Sequence, residues 1–285
     1  MGAVVDLDSN TKQCVGFLYA DDLDDNGTVI KKPFGTCFFI YAHTPRDGVI
    51  FYLVTAKHVL RDMQAAAGTS MYVRLNTLDK AGVSYIPLPR DGWHEHEDTS
   101  VDAAVLQLRS LFGGLSTQFL VISFSGVLET PEAVPKNEPG HKWPPHEGDE
   151  ICIVALFLQH PGEGRNHPVF RFGRIALMPD EQLPGKYGPS DYYLIESQVY
   201  RGHSGAPVFV HWGNLMYLLG ILVAAYPTEE EIRSLPDRTE IYYNLGISKV
   251  VPIQKVVDIL NQEDLRKQRE EAGAPEVKKP RRKKG

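Results

Sequence analysis

The chain has 285 residues, 42% of them hydrophobic and 23% charged, the composition of an ordinary soluble globular protein with room for one large domain or two small ones. Its longest apolar run, "LMYLLGILVAAY" at 215–226, is too short to cross a bilayer as a helix, and no early basic–apolar–small stretch marks a secretory signal, so we expect a cytoplasmic protein without membrane insertion. The net charge of −6 is unevenly spread: "VKKPRRKKG" at 277–285 carries six positive residues, leaving −12 on the remainder, which excludes a basic nucleic-acid-binding domain of the usual kind.

Strand-like segments follow one another at short spacing. The first group is "CVGFLYA", "GTCFFIYA", "VIFYLVTA", "MYVRLN", "VSYIPL" and "AAVLQL"; the second is "EICIVALFL", "VFRFGRIAL", "YYLIESQVY", "APVFVHW", "MYLLGILVAA" and "YYNLGIS". Turn residues such as Asn26-Gly27, Gly82 and Pro184-Gly185 separate them, a pattern that indicates an all-β barrel or sandwich. The predicted organisation is a β unit over 1–110, a proline-rich crossover over 111–148 and a second β unit over 149–250. A helix over 251–262 and a charged, disordered tail over 263–285 complete it. The helix rests on Ile253, Val256, Val257 and Leu260 sharing one apolar face. The tail reads as a solubilising end, with weak contact to nucleic acid or an anionic surface as the alternative. Cys14, Cys37 and Cys152 have no metal-ligand spacing and read as reduced thiols; no metal or cofactor is predicted.

Chemistry enters at "QVYRGHSGAPVFV", residues 198–210, where Ser204 stands between Gly202 and Gly205. Serine becomes a useful nucleophile when a base takes its proton, and the base works best when a carboxylate fixes its tautomer. "LVTAKHVL" supplies His58 at the end of an apolar strand, and "SVDAAVLQL" supplies Asp102 immediately before another. Glycines around Ser204 permit a turn whose adjacent N–H groups converge on one point, as an oxyanion hole requires. Each signal alone is modest; the conjunction in the order His, Asp, Ser is much stronger.

These residues resemble those of the chymotrypsin-like (trypsin-like) serine peptidases, particularly compact bacterial members. "GTCFFI", "VTAKHV", "DAAVLQL", "RGHSGAPV", "LLGI" and "GISKVVPIQKVVDIL" carry the likeness over about residues 34–260. The resemblance implies two six-stranded antiparallel β-barrels with a site in the cleft between them. It makes His58 the general base, Asp102 its orienter and Ser204 the nucleophile, with the amides of Gly202 and Ser204 forming the oxyanion hole. Polypeptides would be the substrates and no cofactor would be needed. Other serine hydrolase plans fit worse: an α/β-hydrolase elbow would require glycine where Ala206 stands.

Departures from the family pattern carry information. Val59 replaces the cysteine that secreted animal members place after the histidine. His203 replaces the aspartate that pairs with a freshly cut N-terminus. Val223 falls where a hydroxyl often supports the buried aspartate. For specificity, Gln198 stands where trypsin-type enzymes carry an aspartate, Arg201 lies at the rim, and Val223, Ala224 and Ala225 are expected to run beside the substrate backbone. These cues conflict and favour, weakly, a small or medium uncharged residue before the cut. "TEEEIRSLPDR" has a capping-box start in Thr228 and Glu231, which predicts a short acidic helix.

Two further motifs read as structure. "DLDDNG" at 22–27 begins a calcium-loop pattern, but Pro33 stands where the bidentate glutamate belongs, so an acidic hairpin turn is expected. "HEHED" at 94–98 reads as a solvated loop, with Asp98 the alternative orienting carboxylate, and "HPGEGRNHP" at 160–168 has no assignable chemistry. The expectation is therefore a serine endopeptidase; the alternative is a peptidase-like binding or scaffold domain without useful turnover.

Overall fold

A computed structural model describes residues 11–44, 48–78, 82–108, 117–118, 122–123, 145–212, 215–232 and 239–272. A short 3-10 turn (Thr11–Cys14) leads into β1 (Val15–Leu23), β2 (Val29–His43) and β3 (Val49–Thr55). Helix α1 (Lys57–Ala65) follows, then β4 (Met71–Thr77), β5 (Val83–Leu88), β6 (Trp93–Glu95) and β7 (Ala104–Leu108). Two short strands, β8 (Thr117–Gln118) and β9 (Ile122–Ser123), join the same sheet. The second half contains β10 (Glu150–Ala155), β11 (Val169–Leu177), β12 (Tyr193–Glu196), β13 (Pro207–Trp212), β14 (Leu215–Ile232) and β15 (Thr239–Pro252). Helices α2 (Ile253–Leu260) and α3 (Glu263–Glu271) close the described chain.

The second half is a closed barrel in the order β10-β11-β12-β15-β14-β13, as expected. The first half corrects the expectation of two six-stranded barrels: its strands form a nine-stranded sheet, β5-β4-β1-β2-β3-β7-β6 with β8 on β4 and β9 on β2, and it does not close. Its edge strands β5 and β6 are consecutive in the chain, separated only by residues 89–92. Pro87 and Pro89 have no N–H to give to a ladder, β6 is only three residues long, and Gly92 turns the chain at φ +82°. Covalent continuity, not pairing, joins the edges. The sheet is antiparallel except for β9, which runs parallel to β2.

Alternation along β10 explains why "EICIVALFL" is apolar on both faces. Ile151, Ile153 and Ala155 point into the closed barrel, while Cys152, Val154 and Leu156 join the larger core shared with the first half. In β13, Val208 and Val210 face inward and Phe209 faces the shared core. The two halves therefore meet through buried apolar surface.

The segment 160–168, unassigned from sequence, is a latch between the halves. Arg74 of β4, only 2% exposed, donates to the carbonyls of Gly162 (2.7 Å) and Glu163 (2.6 Å). Asn166 donates its backbone N–H to Asn76 Oδ1 and its Nδ2 to the Arg74 carbonyl, both at 2.7 Å.

Three local expectations change. Thr228 and Glu231 lie in β14, paired with Tyr243 and Glu240 of β15, so the ladder overrides the capping-box signal; residues 233–238 lie outside the described chain. The tail does not begin at 263, because α3 packs Leu265 fully into the core; the basic stretch from 277 lies outside the described residues. "HEHED" is not a free loop. His94 Nδ1 meets Asp264 of α3 at 3.1 Å, and His96 Nε2 meets Asp258 of α2 at 3.5 Å. Gln262 donates to the Glu95 carbonyl at 2.7 Å. The C-terminal helices, which follow the last strand of one half, thus brace the other. "DLDDNG" is a hairpin turn as expected, with Asp24 Oδ1 accepting the amides of Asn26 and Thr28.

Candidate active site

His58 occupies the first turn of α1, two residues after the extended Ala56 that starts the helix, rather than the end of a strand. Amides in a helix's first turn have no partner within the helix. Asp102, 3% exposed in the loop before β7, supplies one from 44 residues away: His58 N–H donates to Oδ1 at 2.9 Å. The same carboxylate's Oδ2 takes the ring nitrogen Nδ1 at 2.7 Å. The ring must carry its proton on Nδ1 to make that bond to a carboxylate, which leaves Nε2 as the acceptor. One side chain therefore caps the helix and sets the imidazole tautomer. Asp98, the alternative orienter, is used elsewhere: its Oδ1 accepts Ser100 N–H at 2.9 Å, shaping the turn that delivers Asp102, and the Ser100 side chain and then this amide hold its carboxyl below the usual range.

Lys57, beside His58, is buried. It donates to the Thr99 carbonyl at 2.5 Å and lies 4.1 Å from the centre of the Tyr187 ring, and burial lowers its pKa. A second-half loop, 184–188, thereby leans on α1 of the first half.

Ser204 is the second residue of the later of two successive turns of the same construction. Tyr200 to His203 is closed by His203 N–H on the Tyr200 carbonyl (3.1 Å), and His203 to Ala206 by Ala206 N–H on the His203 carbonyl (3.0 Å). The third residue of each is a glycine at positive φ, Gly202 at +92° and Gly205 at +85°, as a type II turn demands. Gly205 N–H is also engaged, to Leu222 O. The amides of Gly202 and Ser204 donate to nothing among the described residues. Ser204 Oγ donates to the Val223 carbonyl at 3.3 Å, and it makes no hydrogen bond to His58 among those residues.

The remaining predicted residues divide. Ala224 lines two cavities. One, of about 300 Å³, is lined by Val199, Arg201, Ser204, Leu222 and Ala225 among others; the second, of about 240 Å³, by His58, Asp102, Tyr192, Val223 and Lys249 among others. Bulges on either side of Ala224 and Ala225 lift this part of β14 out of regular pairing with β15. Gln198 lines neither cavity: it is exposed and accepts the Tyr200 hydroxyl at 3.0 Å. His203 is fully buried, accepts Tyr200 N–H on Nδ1 and is held neutral, its pKa pushed down to about 4 by burial and then by Arg171. Among the described residues nothing replaces the hydroxyl missing at Val223, and both hydrogen bonds to Asp102 come from His58.

Sequence reading passed over Thr36, inside "GTCFFI". Its amide donates to the Ser204 carbonyl at 2.9 Å and its hydroxyl to the Gly202 carbonyl at 2.7 Å. No local signal marks it, because its partners are about 166 residues away. Cys14, Cys37 and Cys152 are buried free thiols whose pKa values burial raises, Cys152 to about 12. Among the described residues no group of three or more His, Cys, Asp or Glu side chains could hold a metal, and no helix is long and apolar enough to cross a membrane.

The family model described as "Trypsin-like peptidase domain" matches residues 35–216. A comparison with curated proteins gave no match. Among solved structures, the chain is similar to the MamO protease domain from Magnetospirillum magneticum in its apo form, at 15% identity and a TM-score of 0.49, covering 87% of this chain and 96% of that one. It is also similar to the Rv3671c protease, inactive form, at 18% identity, a TM-score of 0.44 and 88% coverage of each chain. A serine-to-alanine mutant of Rv3671c from M. tuberculosis H37Rv, also an inactive form, gives 17% identity and a TM-score of 0.42, with 88% of this chain and 87% of that one covered.

Proposed function

The chain belongs to the trypsin-like peptidase domain family, and we propose that it is a serine endopeptidase acting on polypeptides through an acyl-enzyme at Ser204. On substrate binding, Ser204 Oγ leaves the Val223 carbonyl and turns toward His58 Nε2. Oγ attacks the peptide carbonyl as its proton passes to Nε2, and the Asp102 carboxylate stabilises the resulting imidazolium. The negative oxygen is received by the amides of Gly202 and Ser204. Collapse breaks the C–N bond, and His58 returns the proton to the departing amine. Water then attacks the acyl group, with His58 taking its proton, and a second collapse releases the acid and restores Oγ–H.

The observation that carries this reading is the pair of idle amides. From Gly202 to Ala206 the turn amides are engaged among the described residues except those of Gly202 and Ser204, the two that an oxyanion would occupy. The apolar walls of the cavity beside Ser204, formed by Val199, Leu222 and Ala225, favour a small or medium uncharged residue before the cut.

One observation favours the second reading, a binding domain without turnover: Ser204 Oγ is bonded to Val223 O rather than to His58. A fluorophosphonate probe separates the two. Labelling of wild type but not of Ser204→Ala or His58→Ala supports the peptidase; equal labelling or none in all three supports the binding domain.

A further inference from the structure

From the same contacts we infer that Thr36 is a positioning residue for the oxyanion hole, making a competent Ser204 turn conditional on docking of the two halves. The inference rests on the peptidase reading and adds to it a residue outside the His–Asp–Ser set.

Thr36 lies in β2 of the first half with no exposure, and three of its groups face the seam. Its N–H holds the Ser204 carbonyl at 2.9 Å. Its Oγ1 donates to the Gly202 carbonyl at 2.7 Å and accepts Leu156 N–H at 3.0 Å, which fixes the direction of its single proton. Its carbonyl accepts the Thr55 hydroxyl at 2.8 Å. The carbonyls of Gly202 and Ser204, the residues whose amides would receive the oxyanion, are thus both pinned by Thr36 from the opposite half.

Close packing enforces the same contact. A Cβ on Gly205 would lie 2.1 Å from the Thr36 carbonyl oxygen and 2.3 Å from Thr55 Oγ1, and one on Gly35 would lie 2.9 Å from the Ser204 carbonyl oxygen. The turn and β2 therefore meet backbone to backbone. A type II turn can flip its central peptide at modest cost, and a flip between Arg201 and Gly202 would aim a carbonyl where the oxyanion belongs. Holding Gly202 O from the far side opposes that flip.

The test compares Thr36→Ser, which keeps the hydroxyl, with Thr36→Val, which keeps the shape and removes it. Phosphonylation of Ser204 by a fluorophosphonate forms the P–O bond, breaks P–F and places a phosphoryl oxygen in the hole, so its maximal rate and its half-saturating concentration report geometry and binding separately. Loss of one oxyanion donor costs about 10²–10³ in rate, so a misdirected donor is expected to cost about 10- to 100-fold. Thr36→Val should lose that factor in maximal rate with half-saturation within about twofold, and Thr36→Ser should recover most of it. If Thr36→Val does not fold, Thr36→Cys, with a longer and weaker donor, should fall between serine and wild type on one side and full loss on the other.

A maximal rate for Thr36→Val (or Thr36→Cys in its place) equal to wild type overturns the inference, as does serine failing to rescue. Those outcomes leave the peptidase reading intact. A wild-type chain that is not labelled at all removes both.

Discussion

Replacing Asp102 by asparagine separates the two duties of its carboxylate. Oδ1 and Oδ2 accept two different donors of His58, the backbone N–H and ring Nδ1. Asparagine has one acceptor oxygen and one NH₂ group. The backbone N–H cannot change its role, so the asparagine oxygen must stay on it and the NH₂ must face the ring. Nδ1 then becomes an acceptor and the proton moves to Nε2, where it blocks uptake of the Ser204 proton. Losing one charge-assisted hydrogen bond costs about 1.5–3 kcal/mol, or roughly 10- to 150-fold. A wrong tautomer in such a triad lowers kcat by about 10⁴, close to 5.5 kcal/mol, so the tautomer effect dominates. We expect kcat on a cleaved peptide to fall by about 10³–10⁴ with KM little changed, and thermal stability to fall only slightly because the helix cap survives. A kcat within about tenfold of wild type would refute the reasoning.

Gly205→Ala is expected to destabilise by at least about 2 kcal/mol, since the new methyl overlaps the Thr36 carbonyl and φ is +85°; equal denaturant midpoints would contradict this. Arg74→Met leaves the Gly162 and Glu163 carbonyls without their buried donor and should cost about 3 kcal/mol in urea unfolding, with loss of less than about 1 kcal/mol counting against the latch. His203 should make stability pH-dependent. Its native pKa of about 4 lies below the usual 6.5, so between these values the unfolded chain binds a proton that the native chain does not, and stability falls as pH falls. The full window is on the order of 3 kcal/mol, and His203→Gln should flatten the urea-midpoint profile between pH 6.5 and 4 relative to wild type; an unchanged profile would remove the effect. In a peptide digest, cuts after Lys or Arg should be rare, because Gln198 faces solvent and, among the described residues, no acid lines the cavity beside Ser204; a preference for them would show that another wall binds the side chain.

Much of the fold was legible because β-strands write themselves locally. "GTCFFIYA" and "EICIVALFL" are apolar on both faces since both faces are buried, and each strand-like segment named from sequence overlaps a strand, "YYLIESQVY" only over Tyr193–Glu196. Helix α1 was missed although Val59, Leu60 and Met63 are buried on one side of it; the preceding strand's apolar run masked that short period. Closure of the first sheet is implied by the resemblance alone, and the edge signal that argues against it, Pro87 inside "VSYIPL" and Pro89 just after it, is easily overlooked within a strand-like run. Helix α3, "EDLRKQREE", buries Leu265 alone and is held by distant partners such as His94, so no local pattern announces it. In the candidate site, His58, Asp102 and Ser204 can be nominated from sequence because each sits in a short motif. Thr36 was not, because its importance lies entirely in contacts across the seam.

The double service of Asp102 makes the site asymmetric toward loss. Any replacement lacking an acceptor oxygen at that reach strips α1 of its first-turn partner, so the scaffold itself resists the change. Among the described residues Ser204 Oγ gives one 3.3 Å bond to a carbonyl, so under the peptidase reading a descendant retired from chemistry can shed that hydroxyl at little structural expense. Silent relatives should therefore be recognisable by a vanished serine beside a retained aspartate, rather than the reverse.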